Sequence, residues 1–186
     1  QSTFPSHYQS KIEVIHEGID TSRVRPNPQA RLMLPNGRQV GPSDEIVTFV
    51  VRNLEPLRGY HIFMRALPEI LRRRPNAQIV IIGRDGLSYG LPPPAGKTWK
   101  SIFLEEVRDQ LDLSRVHFMG GVPYPTFIAA LQVSSAHVYL TYPFVLSWSV
   151  LEAMSAGCLV IGSDTSPVRE AISSGRNGLL VPFFAV

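Results

Sequence analysis

Between Ile46 and Val181 two spacings of apolar residues take turns along the chain. Ile46-Val47-Thr48-Phe49-Val50-Val51 is an almost unbroken β-branched and aromatic run, the pattern of a strand covered on both faces. After Arg58-Gly59, apolar residues at Ile62, Phe63, Ala66, Leu67, Ile70 and Leu71 recur at helical spacing. Pro68 should kink that helix and Pro75-Asn76 should stop it. Ile79-Val80-Ile81-Ile82 predicts the next strand, ended by Gly83. A loop from Arg84 then leads to a helix from Trp99 to Leu111 and a strand at Val116-His117-Phe118. Pro123 and Pro125 open a helix through Phe127, Ile128 and Leu131, followed by a strand from Ala136 to Thr141. A helix from Ser147 to Ala156, a strand from Leu159 to Gly162, a short helix N-capped by Ser166 before Pro167, and a strand at Leu179-Leu180-Val181 complete the series.

Such alternation implies βαβ crossovers, hence an α/β fold: a Rossmann-like, doubly wound parallel sheet of about six strands with helices on both faces. Residues 45–186 would form this domain. Residues 1–44, rich in Pro, Gly and Asn, read as an opening segment and linker with one short strand at Ile12 to Ile15. In doubly wound sheets ligands bind where strand ends lead into helix starts, so those loops are the place to look for chemistry.

Composition narrows the options. The chain has 186 residues, 44% hydrophobic and 18% charged, enough for one core. A pI of 9.2 with a net charge of +3 suits anionic small molecules or a loose membrane-surface contact, and is too weak to argue for nucleic acid. Arg72-Arg73-Arg74 closes a predicted helix, where cations satisfy the carbonyl end. Cys158 is alone and fits a reducing compartment. No apolar run approaches ~18 residues and no signal peptide is visible, so a cytoplasmic or membrane-peripheral location is expected. The first residue is Gln1, as in a piece of something longer.

Several chemistries lack their parts. Gly90 to Thr98 resembles a phosphate-binding loop, but its glycines are one residue too far apart and three prolines remove amides. No Gly-x-Gly-x-x-Gly follows the first core strand, and no Gly-x-Ser-x-Gly elbow is present. His7, His16, His61, His117 and His137 show no metal spacing, so neither metal nor cofactor is expected; His117 and His137 fall on strands and suit structural roles.

Two loops remain. In Arg52-Asn53-Leu54-Glu55-Pro56-Leu57-Arg58-Gly59 two guanidiniums flank the exit of the first core strand, suited to bidentate contact with a pyrophosphate. A cation at a helix start is electrostatically misplaced unless an anion is near. In the second loop Pro143 breaks a strand, and Ser147-Trp148-Ser149-Val150-Leu151 begins a helix whose free amides form an anion site. Glu152, set among small and apolar neighbours, needs hydrogen-bond donors. Ribose hydroxyls could supply them, or the carboxylate could simply complement the helix dipole.

The loops occur together in order: Arg52 to Gly59, Val80-Ile81-Ile82-Gly83, Val116 to Gly120, Pro143 to Gly157, and Gly175-Arg176-Asn177-Gly178-Leu179-Leu180-Val181-Pro182. Together they resemble the C-terminal, donor-binding domain of family 4 (group 1) glycosyltransferases, which have the two-domain GT-B fold. The resemblance covers nearly the whole chain and takes in Val14 to Asp20 as the strand entering this half. It implies retaining, metal-independent transfer from a nucleoside-diphosphate-sugar, with the acceptor site and main catalytic groups in an N-terminal domain outside this chain, so that the fragment alone is inactive. Carried over, Arg52, Arg58 and the Ser147, Trp148, Ser149, Val150 and Leu151 amides would hold the donor diphosphate, and Glu152 the ribose. Gly83, Phe118 and Met119 would border the base. Phe144, eight residues before Glu152, stands in the donor-sugar region where the family commonly has a second glutamate. The base, sugar, acceptor and oligomeric state are left open. Also open are another GT-B enzyme, such as a nucleotide-sugar epimerase or a phosphorylase, and a non-catalytic nucleotide-binding module. For a phosphorylase, Lys11, Lys97 and Lys100 all sit in or beside loops and offer no candidate cofactor lysine.

Overall fold

The computed structural model describes residues 4–13, 15 and 17–184. A single helical turn, α1 (Ser6–Gln9), and a two-stranded antiparallel ribbon, β1 (Leu32–Met33) with β2 (Gln39–Val40), precede the main sheet. The sheet contains β3 (Ile46–Asn53), β4 (Gln78–Arg84), β5 (Val116–Gly120), β6 (Ala136–Tyr139), β7 (Leu159–Ser163) and β8 (Leu179–Val181). The connecting helices are α2 (Tyr60–Arg73), α3 (Trp99–Val107), α4 (Tyr124–Gln132), α5 (Trp148–Ser155) and α6 (Ser166–Ala171).

Every pair in the six-stranded sheet is parallel, in the order β5-β4-β3-β6-β7-β8. Counted from β3, that is the 3-2-1-4-5-6 order of a Rossmann fold, and strand order reverses between β3 and β6. Alternate strand residues feed two cores. Phe49, Ile79 and Ile81 pack with Phe63 and Leu67 of α2 and Phe103 of α3. Val50, Val80 and Ile82 face the opposite way, toward Leu131 of α4, Val150 of α5 and Val168 of α6.

Several boundaries differ from the expectations. Ile12, Glu13 and Ile15 form no strand, and Val14 and His16 lie outside the described residues. The chain before residue 45 is nevertheless packed in: Val24, Ala30, Leu32, Leu34 and Val40 join the core of α4, α5 and α6. Helix α2 runs uninterrupted through Pro68, because its buried face of Phe63, Met64, Leu67 and Leu71 holds it to the sheet despite the missing amide. Strand β4 continues past Gly83 to Arg84. The α3 helix stops at Val107 and tightens into a 3-10 turn at Arg108–Gln110. Thr165, rather than Ser166, occupies the N-cap of α6.

Groups set aside as structural have partners in the core. The His137 Nδ1 lies 2.8 Å from Thr48 Oγ1, and burial lowers its pKa to about 4. The His117 Nε2 lies 2.9 Å from Gln78 Oε1. Cys158 is buried against the Leu131 carbonyl, and burial pushes its thiol up to about 11. The Gly-Lys-Thr of the phosphate-loop lookalike is a helix start: the Thr98 hydroxyl accepts from Ser101 N–H at 3.0 Å while Thr98 N–H donates to Ser101 Oγ. Among the described residues, no helix is long and apolar enough to cross a membrane.

Candidate functional site

The reversal between β3 and β6 opens a crevice at the carboxyl edge, and both loops flagged in the sequence meet there. Beyond Asn53 the chain makes a 3-10 turn at Pro56–Arg58 and enters α2 through Gly59, at φ 70°. A Cβ on Gly59 would lie 2.2 Å from Leu140 Cβ, so the residue must be glycine on two counts, conformation and space. Close by, Tyr142 N–H donates to the Leu57 carbonyl at 2.9 Å. The two loops are thereby stitched across the crevice.

On the far wall, Ser147 N-caps α5. Its hydroxyl oxygen accepts from Ser149 N–H at 3.2 Å and lies 2.8 Å from Ser149 Oγ. Ser147 N–H donates to the Tyr139 hydroxyl at 3.2 Å; burial pushes that phenol up. Between the walls lies a cleft of about 290 Å³ lined by Val50, Val51, Arg52, Arg58, Phe127, Tyr139, Leu140, Ser147 and Ser149. Arg52 is exposed and Arg58 half-buried, and neither has a carboxylate partner among the described residues. Two unpaired guanidiniums facing the positive end of α5 make a concentrated positive potential, which is the electrostatic condition for holding an anion.

The other predicted residues surround this cleft. Trp148 is exposed, with its indole N–H donating to Glu17. Val150 is buried in the core and Leu151 packs against it. Val150 N–H donates to the Ser147 carbonyl at 3.2 Å and Ser149 N–H to the Ser147 hydroxyl, so these two amides, expected to hold a diphosphate, are already bonded within the helix start. Glu152 is buried, and its Oε1 accepts from the Tyr124 hydroxyl at 2.7 Å, a bond that raises the Tyr124 pKa. Gly83 is enclosed by the Val51 carbonyl and Leu54, where a Cβ would sit at 2.9 and 3.0 Å. Phe118 lies under the Lys100 ammonium, 4.7 Å from the ring centre, and Met119 turns to the opposite core. Phe144 is 44% exposed and stacks on Arg58, with the guanidinium carbon 5.1 Å from its ring centre.

Four residues went unflagged in the sequence. Tyr124 starts α4 and reaches Glu152 across the sheet end. Arg84, at the end of β4, is a third guanidinium on this edge. Glu55, fully buried, faces the amides of Ser88, Tyr89 and Gly90 at 3.2, 3.5 and 3.4 Å, and so holds down the loop after β4. That loop brings Tyr89 to the other side of Arg58, 5.7 Å from the guanidinium. A Glu beside a proline gave Glu55 no sequence signal, because its partners are backbone amides 33 to 35 residues away.

The sheet order, the crevice at its reversal and the paired loops define a Rossmann-like domain with a positively charged crevice. The chain matches the family of glycosyl transferases group 1 over residues 37–185, and it belongs to that family. It is 28% identical over 176 residues to a D-inositol 3-phosphate glycosyltransferase of Nocardia farcinica, covering 93% of this chain and 37% of that protein. A phosphatidyl-myo-inositol mannosyltransferase of Mycolicibacterium smegmatis is 32% identical over 142 residues, 73% of this chain and 32% of its own. The C-terminal domain of a group 1 glycosyl transferase (LpcC) from Francisella tularensis superposes with a TM-score of 0.69 at 20% identity, covering 89% of this chain and 80% of that one. HepE of Anabaena, in complex with UDP and glucose, superposes at 0.64 with 18% identity over 91% of this chain and 43% of its own. The chain thus spans little more than a third of the length of the curated relatives it matches.

Proposed function

We propose that this chain is the donor-binding half of a retaining glycosyltransferase that takes its sugar from a nucleoside-diphosphate-sugar. One observation carries the reading: Arg52 and Arg58, without acid partners among the described residues, line a cleft closed on its other side by the capped start of α5. A diphosphate there would meet two guanidiniums and the positive end of the α5 dipole. As the glycosidic bond breaks, charge collects on the leaving diphosphate, and fixed cations beside a helix start stabilise it without reorganising. Glu152, held by the Tyr124 hydroxyl, would accept from the ribose hydroxyls. A solved neighbour whose crystals hold UDP and glucose supports the nucleotide-sugar class. Acceptor and remaining catalytic groups would come from an N-terminal domain, so the chain by itself should bind nucleotide and transfer nothing.

Calorimetric titration with UDP, GDP and ADP tests this on the wild type, Arg58→Ala and Glu152→Ala. At least one nucleotide should bind, and each substitution should weaken it about tenfold or more, the value of a charge-assisted hydrogen bond. Affinity indifferent to both substitutions would remove the site assignment.

A further inference from the structure

Arg58 borders a second space. On the side away from α4 lies a cavity of about 80 Å³ lined by Leu57, Arg58, Tyr89, Thr141, Tyr142 and Phe144. The Tyr89 and Phe144 rings stand 5.4 Å apart, and both contact the Arg58 guanidinium. The surface turned into the cavity is apolar: the Arg58 guanidinium lies against the two rings, the Thr141 hydroxyl donates to the Tyr142 carbonyl at 3.0 Å, and Tyr142 N–H donates to Leu57. A sugar hydroxyl pushed against this apolar surface would give up water for little return, whereas a methyl group would lose only water.

This wall is built into the fold. Tyr89 arrives from the loop after β4, and that loop is gripped from beneath. Glu55 is fully buried, with Oε2 facing three loop amides and Oε1 unpartnered. The Asn53 side-chain amide adds a bond to Ser88 Oγ at 2.5 Å. Burying a carboxylate with one oxygen unsatisfied is costly. Here it fixes the residue that closes the cavity.

We infer that this aromatic cavity receives the donor sugar and selects one bearing a methyl group, an acetamido or a 6-deoxy substituent, over the parent hexose. The inference rests on the donor-half reading: with the diphosphate on Arg52 and Arg58 and ribose toward Glu152, the diphosphate's other substituent leaves on the Tyr89–Phe144 side. Those rings also offer their faces to the C–H surface of a pyranose. Phe144 then reads sugar identity by burial, in a cavity that holds no carboxylate.

Calorimetry of two donor pairs separates this inference from the reading beneath it: UDP-N-acetylglucosamine against UDP-glucose, and GDP-D-rhamnose, which is 6-deoxymannose, against GDP-mannose. In the wild type the methyl-bearing member of the pair that binds should be about fourfold tighter, the worth of one buried methyl group. The ratio should fall to about one in both Phe144→Ala and Tyr89→Ala, and survive in Arg74→Ala at the opposite end of the sheet. Phe144→Glu should invert it in favour of the parent hexose. A wild-type ratio of one or less, with UDP or GDP still bound, overturns the inference and leaves the donor-half reading standing. So does a ratio that persists in both alanine variants. Failure of the wild type to bind any UDP, GDP or sugar conjugate overturns both.

Discussion

The two ends of the central sheet carry arginines in different company. At the amino end, Arg38 pairs with Asp44 at 3.0 Å, Arg74 pairs with Glu45, and Arg115 pairs with Asp112 at 2.8 Å. Arg115 also donates to the carbonyls of Leu71, Arg74 and Pro75 at the end of α2. The run Arg72-Arg73-Arg74 belongs to this pattern: instead of serving the helix carbonyls, as expected, these residues engage Glu69 and Glu45. At the carboxyl end, Arg52, Arg58 and Arg84 find no carboxylate among the described residues, and Arg58 leans on aromatic rings. Neutralised cations hold a structure together at modest gain; unneutralised ones gathered at a helix start create a field that favours an anionic ligand. The contrast marks the carboxyl end as the one that carries the candidate site, without reference to any relative.

The largest effect should come from breaking the seam that holds the carboxyl end closed. Gly59→Ala would place a Cβ into Leu140 at a left-handed backbone position. It should cost about 3 kcal/mol or more in urea melts and take nucleotide binding with it. If Gly59→Ala melts like the wild type, the two loops are not locked as described.

Acid should act on the middle of the sheet, away from both ends. The folded pKa of His137 is depressed to about 4 by burial, below the ordinary value of 6.5. The unfolded chain therefore takes up a proton that the native state refuses. The associated stability is complete above pH 6.5 and is lost as pH falls toward 4, roughly 3 kcal/mol in all. His61 and His117 are shifted down by burial too and add in the same direction. Urea midpoints that stay level from pH 7 to pH 4.5 would refute this.

A direct comparison of the two ends follows from Arg58→Ala and Arg74→Ala. The first should weaken nucleoside diphosphate binding about ten- to hundredfold and leave the melting curve in place. The second should leave affinity alone and cost about 1 kcal/mol or less. Equal effects on affinity would erase the distinction drawn here. The smallest change is Tyr124→Phe, which strips Glu152 of its donor. Affinity should drop about tenfold or less, and discrimination between UDP and 2′-deoxy-UDP should narrow. A variant that keeps the wild-type discrimination would show that Tyr124 does not steady the carboxylate.

Much of this was legible in the residues. All six strands of the sheet and the five helices between them appear as alternating apolar spacings, because burial on two faces and burial on one stripe leave different periods. The crevice residues Arg52, Arg58, Ser147 and Ser149 were also visible, since a strand exit and a helix start are local signals. Boundaries were less so. Ser166-Pro167 looks like a cap and first turn, yet Thr165 takes the cap, because the tertiary path of the chain from β7 sets where the helix begins.

By itself, the sequence determined an α/β sheet and pointed to a candidate anion site where a strand ends at Val51-Arg52 and a helix begins at Ser147; periodicity and capping are properties of neighbours along the chain. Only the tertiary structure decided which groups stand together. Tyr124 steadying Glu152, Glu55 gripping the amides of Ser88 to Gly90, and Tyr89 meeting Phe144 over Arg58 each join residues 28 to 55 positions apart, and such contacts follow from strand order and packing, which no local pattern encodes.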